Sequence, residues 1–237
     1  MGVSTTASGT NSTAMGNSTT ASGNASTSMG LSTTASGNNS TAIGFATTAS
    51  GRRSTAMGVY TSASDYGSLV IGQFNSAGSS VTNGPQSALV FNEGNTAFVI
   101  GNGTNGSNKS DAFKVMFNGD ATVSNNLTVV GDVEVQSDAR LKSNITSLGP
   151  TISKLLLIDG KSYEMKGKQK IGVLAQEVKE VFPELVSEDD NKILAVNYQG
   201  LVPVLINALK EQQSEINRLK DQEKRIERLE GLVAQLD

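Results

Sequence analysis

The sequence predicts a repetitive β-solenoid, followed by a β-rich stalk, an α/β domain and a C-terminal coiled coil. Three observations predict this architecture: glycine at every seventh position near the N-terminus, short apolar runs between turn residues in the middle, and helical and heptad patterns near the C-terminus. The predicted boundaries of the four parts are, in chain order, residues 1–72, 73–136, 137–207 and 208–237.

The N-terminal glycines recur without a slip from Gly2 to Gly58, and a period of fourteen residues is superimposed on them. One half-repeat is marked by Ala7, Ala21, Ala35, Ala49 and Ala63, and the other by Met15, Met29, Ile43, Met57 and Ile71. So short a period predicts a solenoid of stacked coils, because a lone coil cannot bury its apolar face. The alternative is a flexible Gly/Ser/Thr linker, which gives no reason for Met or Ile at every fourteenth residue.

Each half-repeat fits one short strand and one tight turn, with glycine supplying the turn. We expect alanine and one Met or Ile per coil to point inward, which makes the core thin. Coils about 4.8 Å apart give a rod on the order of 24 Å for five coils. Such a rod exposes strand edges and is poorly stable alone, so association of several chains is expected.

The repeating unit S-T-T-A-S-G-x-x-S-T-A-[MI]-G-x gives residues 1–72 a specific resemblance. It resembles the YadA-like head repeats of trimeric autotransporter adhesins. The resemblance implies three left-handed parallel β-rolls packed side by side, and therefore a homotrimeric fibre.

Composition excludes several classes of function. Residues 1–108 carry only four charged side chains, Arg52, Arg53, Asp65 and Glu93, and the net charge of −3 leaves no basic patch for nucleic acid. Cysteine and histidine are absent, so we predict no metal and no cofactor. No apolar run reaches the roughly 18 residues of a membrane span. No signal peptide is visible and the chain opens in mid-repeat, which suggests the C-terminal part of a longer extracellular protein.

Apolar runs continue through the middle of the chain, at residues 69–71, 88–91, 97–100 and 113–117. In the last run Phe113, Val115 and Phe117 alternate with polar neighbours, which indicates one buried face. We interpret this part as a β-rich stalk in which three chains intertwine. A separate globular β-domain is the alternative.

Two helices are predicted in the C-terminal part. Leu174, Val178, Val181 and Phe182 share one face of a helix that Pro183 ends. A second helix begins near Tyr198 and continues into heptads. Its predicted seam consists of Leu219, Gln222, Ile226, Leu229, Val233 and Leu236. A solvated amphipathic tail is the alternative to a coiled coil.

Three motifs in order identify the rest of this part by resemblance. Residues 137–145 look like the S-D-x-R-x-K-x-N-I opening of the endosialidase-type intramolecular chaperone domain. Residues 171–186 resemble its central motif, and residues 196–205 its helix entry. The resemblance implies a trimerisation module of phage tail spikes and fibres that aids folding of the preceding rod and often cuts itself off.

Self-cleavage requires a nucleophile and a base, and the absence of histidine excludes a Ser-His-Asp triad. By the resemblance, Ser137 is the nucleophile and Lys142 the base. Lysine is protonated at neutral pH unless it is desolvated or lies near other cations, and Arg140 is a candidate for the second effect. The spacing of five residues requires that the segment bends, or that the pair forms between chains.

Ring size bears on which bond breaks. Attack of Ser137 on the carbonyl of Gln136 passes through a five-membered ring, which favours the Gln136–Ser137 bond. Attack across chains also allows the Ser137–Asp138 bond. The plain alternative is that Ser137 and Asp138 form only a turn or a helix cap.

The sequence therefore predicts a homotrimeric adhesin or receptor-binding fibre, extracellular on a cell surface or virion, with a receptor or glycan as partner. No activity on an external substrate is expected. One alternative is an ice-binding solenoid, although Phe45, Arg52, Arg53 and Tyr60 interrupt any flat Thr face. Another is a fragment of a glycan-acting tail spike with an uncleaved chaperone cap.

Overall fold

The computed structural model describes residues 2–76, 88–189 and 192–235. The chain divides into two compact units, Met1–Glu134 and Val135–Asp237. Each unit is described separately below.

The first unit is a β-solenoid of about five turns that ends in an antiparallel extension. Its larger sheet has the order β1-β3-β5-β7-β9-β11-β12-β13-β14 and its smaller sheet the order β10-β8-β6-β4-β2. The strands are β1 (Gly2–Val3), β2 (Thr6–Ala7), β3 (Thr13–Asn17), β4 (Thr20–Ala21), β5 (Thr27–Leu31), β6 (Thr34–Ala35), β7 (Thr41–Phe45), β8 (Thr48–Ala49), β9 (Thr55–Val59), β10 (Ser62–Ala63), β11 (Leu69–Gln73), β12 (Thr96–Asn102), β13 (Asp111–Met116) and β14 (Ala121–Val123).

The glycines allow the coils to stack at this distance. Neighbouring coils pair in parallel with an offset of fourteen residues, so that Gly30 lies opposite Gly44. A Cβ atom on Gly30 would lie 2.0 Å from the carbonyl oxygen of Gly44, and Gly30 has a φ of +123°. Both the close approach and the backbone conformation therefore require glycine.

The core between the two sheets consists mainly of alanine. Ala21, Ala35 and Ala49 from the smaller sheet, and Ala42 and Ala56 from the larger one, are fully buried. The order Thr-Ala-Met-Gly within a strand places alanine inside and its neighbours outside, because successive side chains point to opposite faces.

The prediction that Met and Ile point inward is therefore wrong. Met15 is 40 % exposed and the equivalent residues of the next coils are half-buried. The row continues past the repeats, because Ile71 pairs with Ile100, Ile100 with Phe113, and Phe113 with Val123. We call this row of the larger sheet the outer row; it consists of Met15, Met29, Ile43, Met57, Ile71, Ile100, Phe113 and Val123.

The strands β12 to β14, which the sequence assigned to the stalk, continue the sheet of the repeats. β12 pairs in parallel with β11, and β13 and β14 add to it in antiparallel orientation. Among the residues that the structure describes, the smaller sheet stops earlier, at β10. There the side chain of Asn75 takes the position of a further strand, since it forms two hydrogen bonds with the backbone of Ser62.

In its described residues, the second unit contains three α-helices and two β-hairpins. The helices are α1 (Ile152–Leu155), α2 (Ala175–Val181) and α3 (Leu201–Val233). The strands are β15 (Lys161–Met165) paired with β16 (Lys168–Gly172), and β17 (Val186–Glu188) paired with β18 (Leu194–Val196).

Helix α2 packs on the start of α3 to form the core of this unit. Val178 and Phe182 are buried against Val204. The predicted end of the first helix at Pro183 is confirmed, since α2 ends at Val181. Leu174 differs from the prediction, because it precedes the helix and is 42 % exposed.

A buried polar anchor connects α1 to α3. Thr151 is 1 % exposed, and its hydroxyl donates a hydrogen bond of 2.9 Å to the carbonyl oxygen of Val204. The carboxylate of Glu211 accepts hydrogen bonds from the backbone N–H groups of Thr151 and Ile152. These bonds satisfy donors at the start of α1 that have no partner within the helix.

The two later sequence motifs meet in space. The hydroxyl of Tyr198 accepts a hydrogen bond of 3.2 Å from the N–H of Val173. Asn197 caps the turn before α3, with its side chain accepting from the N–H of Gly200. A Cβ on Gly172 would lie 2.7 Å from the Tyr198 hydroxyl, so a larger residue there would displace this side chain.

Candidate functional site

A single 3₁₀ turn shapes the segment that contains the predicted nucleophile and base. The turn spans Ala139–Leu141, and Asp138 caps it by accepting a hydrogen bond of 2.8 Å from the N–H of Arg140. Lys142 follows the turn with extended backbone, at φ −118° and ψ 145°. The chain therefore reverses between residues 138 and 142.

The turn brings Ser137 and Lys142 together within one chain. Lys142 Nζ donates a hydrogen bond of 2.6 Å to Ser137 Oγ. Of the two arrangements that the spacing allowed, the structure has the bent one. A nucleophile and a base must lie within hydrogen-bond reach of each other, and this pair does.

Arg140 is engaged elsewhere. Its guanidinium forms a bidentate ion pair with Asp138, with a shortest distance of 2.6 Å between Nη2 and Oδ2. The side-chain hydrogen bond from Arg140 lowers the pKa of the Asp138 carboxyl, and the backbone hydrogen bond from Arg140 lowers it further. Because this carboxylate balances the charge of Arg140, the arginine is poorly placed to act as the free cation beside Lys142.

The whole segment is exposed in the single chain. Gln136, Ser137, Asp138 and Lys142 all lie in solvent. The peptide bonds on either side of Ser137 are therefore accessible.

The predicted coiled-coil seam lies on helix α3. Leu219, Gln222, Ile226, Leu229 and Val233 fall within the helix and are all exposed. Their spacing of three and four residues places them on one helical face. Leu236 lies outside the described residues.

No group of three or more metal-binding side chains occurs within residues 2–76, 88–189 and 192–235. Among the same residues, no helix is long and apolar enough to cross a membrane.

Sequence reasoning missed the role of the outer row, which it assigned to the core, and the anchor between Thr151 and Glu211. The first was recoverable from the alternation of Ala with Met or Ile in each repeat. The second had no local signal, because its partners are 60 residues apart.

Two families match separate parts of the chain. The family described as the YadA head domain repeat matches residues 1–19, 7–33, 21–47 and 49–75. The family described as the chaperone of endosialidase matches residues 137–187. Both resemblances predicted from the sequence are therefore confirmed.

Curated relatives are phage fibre proteins. The chain is 36 % identical over 96 residues to the long tail fiber protein Gp37 of Escherichia phage AR1, a match that covers 35 % of this chain and 9 % of the relative. It is 32 % identical over 96 residues to the Gp37 protein of Enterobacteria phage K3, covering 36 % and 8 %. The matched part is thus less than a tenth of the length of these relatives.

Proposed function

We propose that this chain forms part of a homotrimeric attachment fibre on a virion or cell surface. Its second unit acts as an intramolecular chaperone for the β-rod and is then released by self-cleavage at Ser137. The observation that carries the cleavage proposal is the 2.6 Å hydrogen bond between Lys142 Nζ and Ser137 Oγ. The similarity to phage long tail fibers supports the fibre role.

The outer row supports association of chains in the first unit. An unbroken apolar row crosses the larger sheet from Met15 to Val123, while the small alanine core holds each coil together only weakly. Monomeric proteins rarely expose apolar surface so continuously. Packing three such faces around one axis would give each thin rod a shared core.

Helix α3 supports association of chains in the second unit as well. Ile226, Leu229 and Val233 are 55 %, 59 % and 59 % exposed at heptad spacing. Three such helices bury this seam in a coiled coil, where Gln222 helps to set the register. Helices form quickly and locally, so this unit can fix stoichiometry before the slower rod assembles.

The proposed reaction is an acyl shift followed by hydrolysis. Lys142 in its neutral form accepts the hydroxyl proton of Ser137 while Oγ attacks the carbonyl carbon of Gln136. The bond from that carbon to the nitrogen of Ser137 breaks and the nitrogen takes up a proton, which leaves an ester. Water then hydrolyses the ester, which leaves a carboxylate on Gln136 and restores the hydroxyl of Ser137, and the amine freed in the first step is the new N-terminus.

Assembly would control this chemistry. Lys142 lies in solvent in the single chain, and a base at this position must lose its proton. Neighbouring chains that cover the segment would desolvate the ammonium and favour the neutral amine. We therefore expect cleavage to follow trimer formation.

Mass spectrometry of the freshly expressed protein tests the cleavage. Ser137→Ala and Lys142→Ala should each leave the full-length chain, while the neighbouring control Ser143→Ala should cleave like the parent protein. A new N-terminus at Ser137 is expected. Cleavage that persists in both active-site variants would refute the assignment of the pair.

Sedimentation equilibrium tests the trimer. In the uncleaved Ser137→Ala protein, the mass should be about three times the chain mass of 24.6 kDa. Ile43→Asp should weaken association, whereas Asn39→Asp adds the same charge at an exposed turn of the same coil and should not. A stable monomer at micromolar concentration would contradict the proposal.

Refolding tests the chaperone. After denaturation, the uncleaved Ser137→Ala protein should regain its trimer and its β-sheet circular dichroism. The cleaved rod, separated from its second unit, should refold poorly, because it lacks the unit that directs its folding. If both samples refold equally well, the second unit is only a structural cap.

A further inference from the structure

Two adjacent arginines occupy one corner of the solenoid, in the turn between β8 and β9. Arg52 and Arg53 are both exposed. They are the only cationic side chains in residues 1–108. Within the described part of the chain, neither arginine forms an ion pair with a carboxylate. This corner is thus an isolated positive site on a surface of hydroxyl and amide groups.

Arg52 interrupts a ladder of side-chain amides. In the preceding coils, Asn24 Oδ1 accepts a hydrogen bond of 3.3 Å from the N–H of Thr10, and Asn38 Oδ1 accepts one of 3.1 Å from the N–H of Asn24. Arg52 is the next residue of this ladder. An arginine side chain has no acceptor, so the hydrogen bond to the preceding coil is lost there.

Arg53 occupies a backbone position that suits asparagine better. Its φ is +63°, in the left-handed region, where Asn is favoured over other residues that carry a Cβ. The equivalent residues of earlier coils are Asn11, Ala25 and Asn39. At both positions the repeat therefore accommodates the residues of earlier coils better than arginine or equally well. Residues that fit their local structure less well than the alternatives are typical of functional positions.

The guanidinium of Arg53 is held in place. It donates a hydrogen bond to the Tyr66 hydroxyl and lies 5.6 Å from the centroid of the Tyr66 ring. Tyr66 belongs to the next coil, at the position equivalent to Arg52. A guanidinium fixed in this way loses less entropy when it binds a ligand.

We propose that the corner formed by Arg52, Arg53 and Tyr66 binds an acidic polysaccharide. The planar guanidinium groups pair with the carboxylates of the ligand through bidentate, charge-assisted hydrogen bonds. Asn24 and Asn38 extend the site along the rod, because each uses its oxygen within the protein and keeps its N–H donors for sugar hydroxyls. The two asparagines are spaced by one coil, about 4.8 Å, which is on the order of one sugar ring.

The small number of charges favours a polysaccharide over a nucleic acid. Nucleic acid binding depends on many phosphate contacts, whereas two cations among neutral donors suit a ligand with sparse carboxylates. The inference rests on the proposed attachment role, and it specifies the class of ligand to which the fibre attaches. It does not depend on self-cleavage. Three copies of the corner on one fibre would increase the avidity.

The test is a binding titration of the full chain in its uncleaved Ser137→Ala form, with polygalacturonate as the probe and neutral dextran as its control. The key variant carries Arg52→Asn and Arg53→Asn, which copies the Asn38–Asn39 pair of the preceding coil. We expect binding of polygalacturonate but not dextran, and a loss of at least about tenfold in the double variant. The double variant should unfold at the same temperature or higher, because it restores the amide ladder.

Unchanged binding in the double variant overturns the proposal, as does absence of binding to polygalacturonate by the parent chain. If dextran binds as tightly as polygalacturonate, the charge of the ligand plays no role and the proposal is wrong. If a single-stranded oligonucleotide binds more tightly than polygalacturonate, the ligand is not a polysaccharide. Sedimentation of the same samples separates this result from the fibre proposal. A double variant that is trimeric but does not bind supports both inferences, whereas a monomeric parent that binds supports the site and refutes the trimer.

Discussion

The side-chain amide of Asn75 forms both hydrogen bonds with the backbone of Ser62 that a further strand would form. The N–H of Ser62 donates to Asn75 Oδ1 at 2.7 Å, and Asn75 Nδ2 donates to the carbonyl oxygen of Ser62 at 3.0 Å. Asn75 is 3 % exposed, so these bonds are shielded from water. The smaller sheet therefore ends at a closed edge, which opposes edge-to-edge aggregation.

Asn75→Leu should destabilise the first unit by about 1–2 kcal/mol, because it leaves the half-buried N–H and carbonyl oxygen of Ser62 without partners. Thermal unfolding followed by β-sheet circular dichroism measures the loss. The control is Asn24→Leu, which removes one exposed hydrogen bond of the solenoid and should change little. Equal effects of the two substitutions would show that Asn75 does not close the edge.

Gly30→Ala should prevent normal stacking of the coils, at a cost on the order of 3 kcal/mol or more. The added Cβ would lie 2.0 Å from the carbonyl oxygen of Gly44. This oxygen belongs to the backbone of the next coil, which strand pairing holds in place. Gly231→Ala is the control, since its Cβ meets nothing within 4 Å and alanine favours helix by up to about 1 kcal/mol. A folded Gly30→Ala rod with parental melting temperature would contradict the close stacking.

Glu211→Ala should destabilise the second unit by about 1–3 kcal/mol, because the N–H groups of Thr151 and Ile152 lose their acceptor. Chemical denaturation followed by helical circular dichroism measures this. Glu215→Ala, on the same helix, removes only an exposed ion pair with Arg218 and should have little effect. The reverse order of effects would show that the anchor at Thr151 is unimportant.

The Asp138 carboxyl should titrate below its ordinary pKa of 3.8. The ion pair with Arg140 favours the charged form in the folded chain, so its stabilising effect is present above the unfolded pKa and is lost as pH falls through the folded one. Arg140→Ala should raise the pKa of Asp138 toward 3.8, as measured by NMR titration of the carboxyl carbon. An unchanged pKa in that variant would leave the backbone hydrogen bond as its main cause.

The period of the solenoid could be predicted because each coil repeats the same residue types. The fourteen residues between Gly30 and Gly44, which pair in the larger sheet, equal one coil. The direction of the side chains could not be read as easily. Large apolar residues usually lie inside, but the inward positions of the repeats are mostly alanine, and Ile43 follows the buried Ala42 in its strand and therefore points outward.

The sequence named the residues of the candidate site as a hypothesis, but it did not give their geometry. Ser137 and Lys142 were identified by their motif. Their contact depends on the turn that Asp138 caps and that Arg140 reinforces, and spacing alone left the choice between bending and pairing across chains open. The bonds of Glu211 depend on how distant segments pack, which a local pattern does not encode.

The fourteen-residue register also constrains how the length of such a rod can change during evolution. Each repeat pairs with the repeat before and the repeat after it, and most repeats present glycine and alanine to both at the same positions. Duplication or loss of whole repeats therefore preserves the inside and outside positions, whereas a change that is not a multiple of fourteen residues shifts them. Recombination within the repeats can lengthen or shorten the rod in steps of one coil. The corner with Arg52 and Arg53 would then move along the axis while its own surroundings stay the same.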